Sequence, residues 1–94
     1  MTKNFQTLIS KFPQVISNMP ITFDSHEFIL KLAALYQSEY ISALNDYINT
    51  PTPFQNLHVQ IAKQLKKSGY VRYIGDVPSA NIFGNVNSNA QWKK

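Results

Sequence analysis

The chain has no cysteine. That absence excludes disulfide bridges, thiolate metal sites and a cysteine nucleophile, and it fits a reducing, cytoplasmic setting. Acids are scarce: five, against nine basic residues. They are also scattered, so neither a carboxylate pair for acid–base work nor a metal cage is expected. Gly69, Gly75 and Gly84 are the three glycines, and their spacing is not that of a phosphate loop. No apolar run approaches the roughly eighteen residues of a membrane span. Met1-Thr2-Lys3-Asn4-Phe5-Gln6 has no signal-peptide core. The two histidines, His26 and His58, lie far apart in sequence, and neither has an acid obviously placed to orient it. The expectation is a protein without catalytic residues, metal, cofactor or membrane partner.

What is present suffices for one core. Ninety-four residues, 44% hydrophobic and 13% aromatic, predict a single domain over 1–94. A domain of this size holds little stability in reserve, so a homodimer is left open. Residues 1–20 read as a helical arm and 21–94 as the body. The net charge is +4 and the isoelectric point near 9.5, a balance that favours polyanions.

Local signals divide the chain. Thr2 can cap a first short helix carrying Phe5, Leu8, Ile9 and Phe12, with Pro13 ending or kinking it. Such an arm folds onto the body or serves a dimer. Asp24 and Glu27 suit a capping box, and the arc from Phe28 to Ile48 is apolar over a wide sector. It predicts either one long helix or two broken near Gln37-Ser38. Thr52-Pro53-Phe54-Gln55 predicts the next helix, with Thr at the cap and Gln closing a second box. Phe54, Leu57, Ile61 and Leu65 form its core stripe, while Gln60, Lys63, Gln64 and Lys67 fall on the other side. Lys66, Lys67 and Gly69 are the expected ending. Tyr70 to Ile74 predicts a strand, Gly75 to Ser79 a turn, and Asn87-Ser88-Asn89 a further loop before Trp92.

Charge is biased along the chain. Six of the nine cations follow Gln60, namely Lys63, Lys66, Lys67, Arg72, Lys93 and Lys94, against the single acid Asp76. The first sixty residues carry three lysines and four acids. The helix cations alternate with amides, the side chains able to bond base edges. Lysines there would bind phosphate in a salt-dependent way. The same residues also suit an ordinary solvated surface. Tyr36, Tyr40 and Tyr47 suit core packing or a stacking platform, and Trp92 suits an anchor for a last strand.

The run Ile61-Ala62-Lys63-Gln64-Leu65-Lys66-Lys67-Ser68-Gly69-Tyr70-Val71, followed by a strand, a Ser-containing turn (Ile74 to Ser79) and Trp92, resembles the end of winged helix-turn-helix modules of phage and mobile elements. Phe23 to Phe28 resembles the opening of their first helix. The resemblance spans residues 23–92. It implies an α+β domain of three or four helices with a C-terminal β-hairpin or three-stranded wing. It also implies a non-enzymatic module that binds DNA or RNA or regulates its use. On that layout Gln60, Lys63, Gln64 and Lys67 face a groove, with Lys66 beside them. Arg72 and Asn81 to Asn89 lie at the wing, and Lys93 and Lys94 meet backbone. Residues 36–50 are longer, and the wing poorer in cations, than that pattern. The alternative is a small protein-binding inhibitor or adaptor, such as an anti-CRISPR-like blocker of a host nucleic-acid enzyme. It would dock through Tyr70, Tyr73, Phe83, Asn85 and Asn87.

Overall fold

Thr2 caps the first helix as its sequence suggests, its hydroxyl accepting from the Phe5 amide at 3.2 Å. A computed structural model describes residues 2–94. Among them the order is α1 (Lys3–Ile9), α2 (Phe12–Ser17), β1 (Thr22–Asp24), α3 (Ser25–Leu35), α4 (Gln37–Asn45), α5 (Pro53–Lys67), β2 (Arg72–Ala80) and β3 (Val86–Lys93). The strands form one antiparallel sheet in the order β1-β3-β2. The architecture is α+β, with five helical segments and a three-stranded wing, compatible with a small winged-helix-like domain.

The arm belongs to the chain's own core. Pro13 falls in the first turn of α2, where its missing N–H is harmless. Phe5, Leu8, Phe12, Val15 and Ile16 are buried with Phe28, Leu32, Leu57, Ile61 and Leu65. Helix α1 packs on α4, and α2 on α3.

The apolar arc from Phe28 is two helices, broken at Tyr36. A continuous helix would carry Tyr40 and Tyr47 roughly 100–120° round from Phe28. The break resets the stripe, so that Tyr40 and Ala43 are buried as well as Phe28, Ile29 and Leu32. Gln37 stabilises the break by donating from Nε2 to the Ala34 carbonyl at 3.2 Å. Helix α4 ends at Asn45, and Ile48, expected in the core, is exposed.

The capping box at α3 forms in full: Asp24 Oδ1 accepts from the Glu27 amide, and Glu27 Oε1 from the Asp24 amide, each at 2.9 Å. The one expected at α5 does not. Thr52 makes no side-chain cap bond, and Pro53 at the start carries the helix entry instead. Gly69 adopts φ +77°, the left-handed stop anticipated for it.

Two segments read as turns are strand. Gly75 to Ser79 lies inside β2, and Asn87 to Asn89 inside β3. Gly75, at φ +126°, marks a bulge: the register slips between Tyr73 and Gly75. Pro78 is tolerated because β2 is an edge strand. The actual turn is Asn81 to Asn85, where Asn81 Oδ1 accepts from the amides of Phe83 and Asn85.

Phe23, expected to lead into a helix, lies in β1 opposite Trp92. Trp92 is buried, and its indole Nε1 donates to Ser25 Oγ at 2.9 Å. Substituting Ser25 by Ala leaves that N–H unpaired in the core and should lower stability by about 1–3 kcal/mol. Urea unfolding followed through Trp92 fluorescence measures it. In the same assay Asp24→Ala should cost about 1 kcal/mol or more. Thr52→Ala should change stability by less than about 0.5 kcal/mol.

Candidate functional site

Helix α5 buries Leu57, Ile61 and Leu65 and turns Val59, Lys63 and Lys66 outward, with Gln55 and Lys67 also exposed. It carries no acid. Gln60 and Gln64, expected on the groove-facing side, are half-buried at one edge of the helix. A core stripe spaced at three and four residues leaves such flanking positions against neighbouring elements. The outward face is therefore mainly cationic, with Gln60 and Gln64 at its edge and Gln55 exposed earlier in the helix.

Residues 68–71 link α5 to the hairpin base. There Arg72 and Lys93 are cross-strand partners, both exposed. Lys94 follows, its amide donating to the Ile21 carbonyl at 2.9 Å. The hairpin runs on to its last pair, Ala80 with Val86. Eight residues of strand separate Arg72 from that end, about 25 Å at the usual rise. Arg72, Lys93 and Lys94 therefore sit at the base, and Asn81, Asn85 and Asn87 at the tip. Arg72 and the Asn-rich segment thus share the hairpin but stand towards its opposite ends. The alternative docking set divides likewise. Tyr70 and Tyr73 are at the base, and Phe83, Asn85 and Asn87 at the tip. Tyr73 stands edge-on to Trp92 and donates to Asp76 Oδ1 at 2.8 Å, a bond that raises its phenol pKa.

The tip folds back along the first half of α5. Between them and the start of α3 lies a cleft of about 580 Å³. Phe54, Gln55 and His58 come from α5, His26 from α3, and Phe83 and Asn87 from the hairpin. Phe83 is 60% exposed and meets Phe54 edge-on, with ring centroids 5.0 Å apart. No Asp, Glu, Lys or Arg lines this space.

Asn89 fixes the hairpin to α3. Its Oδ1 accepts from the His26 amide at 2.9 Å, one of the donors a helix start leaves without an internal partner. Its Nδ2 donates to the Val77 carbonyl and to Ser79 Oγ, at 2.9 and 3.0 Å. His26 Nδ1 lies 3.1 Å from the Ser79 carbonyl and 2.9 Å from Ser79 Oγ. A carbonyl only accepts, so Nδ1 bears a proton.

His58 is held by Tyr40, whose hydroxyl is 2.6 Å from Nε2. Burial pushes the Tyr40 phenol up to about 12 and the His58 imidazole down to about 4, the charge of His26 acting on His58 in the same direction. A protonated phenol beside a neutral imidazole donates to it. Nε2 is then the acceptor, and Nδ1 carries the N–H. Of the three tyrosines, Tyr40 is buried and Tyr36 and Tyr47 are half-buried against the core, with Lys11 Nζ 5.5 Å from the Tyr36 ring centroid.

No family model, no curated protein and no solved structure matches the chain. The cleft was not legible in the sequence. Its defining bonds join residues 53 and 63 positions apart, His26 with Ser79 and His26 with Asn89, and no local spacing signals them. Only the turn chemistry of Asn81 left a local trace.

The His58 shift has a definite pH consequence. Its folded value of about 4 lies below the ordinary 6.5. The unfolded chain therefore binds more protons between these values. Stability should be full above pH 6.5 and decline as the pH falls towards 4. His58→Gln should flatten that decline, as measured by urea midpoints across the window. In the native protein the His58 ring resonances should titrate near pH 4.

Proposed function

We propose that this protein is a non-enzymatic nucleic-acid-binding module. It would hold phosphates with Lys63, Lys66 and Lys67 of α5 and with Arg72, Lys93 and Lys94 at the hairpin base. The observation that carries the reading is the register. Arg72 and Lys93 stand directly opposite each other on paired strands. Like charges so placed destabilise a sheet. A phosphate between them turns that repulsion into attraction, and Arg in particular can grip it with two parallel hydrogen bonds.

The acid-free outer face of α5 supports the same reading. Binding of this kind works by charge and shape and needs no cofactor. The two imidazoles of the cleft hold Ser79 and Tyr40, in hydrogen bonds without a carboxylate, which is an arrangement for support rather than proton transfer. A protein-docking role, as of an adaptor or a blocker of a nucleic-acid enzyme, would instead use exposed Phe83 and Val86 at the tip.

Salt separates the two. Labelled duplex DNA, single-stranded DNA and RNA should each be titrated at low and at physiological salt. Binding should weaken steeply as salt rises, and Lys63→Glu with Lys67→Glu should weaken it at least tenfold without lowering the unfolding midpoint. Absence of binding to all three polymers at low salt would overturn the proposal and leave the protein-docking role.

A further inference from the structure

We propose that the cleft between α5 and the hairpin tip is a nucleobase site, and that the preferred ligand is therefore a single strand with unstacked bases. The inference rests on the nucleic-acid reading above and specifies its target.

The lining decides the chemistry. At about 580 Å³ the cleft is within the usual size of small-ligand sites, roughly 300–1,000 Å³. Its walls carry no Asp, Glu, Lys or Arg, so it is not built to select a phosphate or a carboxylate. It offers a flat apolar flank and hydrogen-bonding groups of both kinds. The exposed ring of Phe83 provides the flank, and Phe54 meets it edge-on. His58 Nδ1–H is a donor, since Nε2 of that ring is bonded to Tyr40. Gln55 and Asn87 add two amides, each able to donate and accept. Asn81 and Asn89, by contrast, are bound into the fold. A neutral planar heterocycle with donors and acceptors along one edge satisfies this set, and a nucleobase is such a group.

The position of the cations selects a polymer over a free base. Lys63 and Lys66 follow His58 on the same helix, by about 8 and 12 Å along its axis. A strand with one base in the cleft would run its backbone past these lysines towards the hairpin base. A duplex has no base to offer without unstacking. The region where the α5 start meets the hairpin tip is also without formal charge from Asp, Glu, Lys or Arg: residues 53–62 and 81–90 contain none of them.

The test uses the full chain and three probes. These are a labelled mixed-sequence single strand, as DNA and as RNA, the same DNA annealed to its complement, and the four ribonucleosides. Phe83→Ala removes an exposed ring and should keep a native amide spectrum. It should weaken single-strand binding roughly five- to a hundredfold, the range of one stacked base, and change duplex binding less than about twofold. Gln55→Ala should act in the same direction. Added nucleosides should shift the backbone amide resonances of His26, His58, Phe83 and Asn87. If polymers bind through Lys63 and Lys67 while Phe83→Ala leaves single-strand affinity unchanged, the nucleobase site is overturned and the phosphate-binding reading stands. If no polymer binds even at low salt, both are overturned.

Discussion

The indole of Trp92 holds three parts of this protein together. Its ring lies in the core, opposite Phe23 across β1 and β3. Its N–H is bonded to Ser25, the first residue of α3. A large apolar ring gains from burial only where its polar edge also finds a partner. Ser25 meets that condition because the Asp24–Glu27 capping box sets where α3 begins. Strand β1, the start of α3 and the end of the hairpin are thus one junction. Phe23 stacks on Phe28, which meets Phe12 edge-on, so the junction is continuous with the N-terminal helices.

From that junction the hairpin is aimed. Trp92 anchors its base, and Asn89, three residues earlier on β3, ties it to the His26 amide. Two attachments at different heights prevent the hairpin from pivoting. The bulge at Gly75 adds the local twist that bulges impose, and the tip lies over α5 with Phe83 against Phe54. The result separates two kinds of surface: cations at the helix end and hairpin base, neutral aromatic and amide groups where the tip meets the helix start. In the proposed reading, electrostatics would attract a polyanion over a distance of about a Debye length, while the cleft would act only in contact.

Much of the fold was legible because its causes are local. Thr2, Asp24 with Glu27, Pro53 and Gly69 each act within a few residues of themselves, and each marks the boundary it was read to mark. The core stripe of α5 was legible for the same reason. The errors came where pairing over long distance overrode local preference. Gly75, Pro78 and the Asn87-Ser88-Asn89 run are turn-prone in isolation, yet the ladder between β2 and β3 holds them extended. Thr22 to Asp24 becomes strand only because β3 arrives beside it. The cationic residues and the wing's poverty in cations were identifiable from sequence, and the hairpin's length was not, since it is fixed by where the turn falls. The cleft depends on contacts between residues more than fifty positions apart, so it emerged only in three dimensions.

The pairing of β1 with β3 has a consequence for how the molecule is made. Ser25 and Trp92 are 67 positions apart, and joining them closes a loop that holds every element from α3 to β3. Contacts of such separation form late, because chain entropy must be overcome before they contribute. A ribosome releases the chain from its N-terminus. The helices can therefore collapse on one another while β1 still lacks its neighbour and the cleft lacks a wall. The wall that completes the cleft comes into being only when residues 89–92 have emerged.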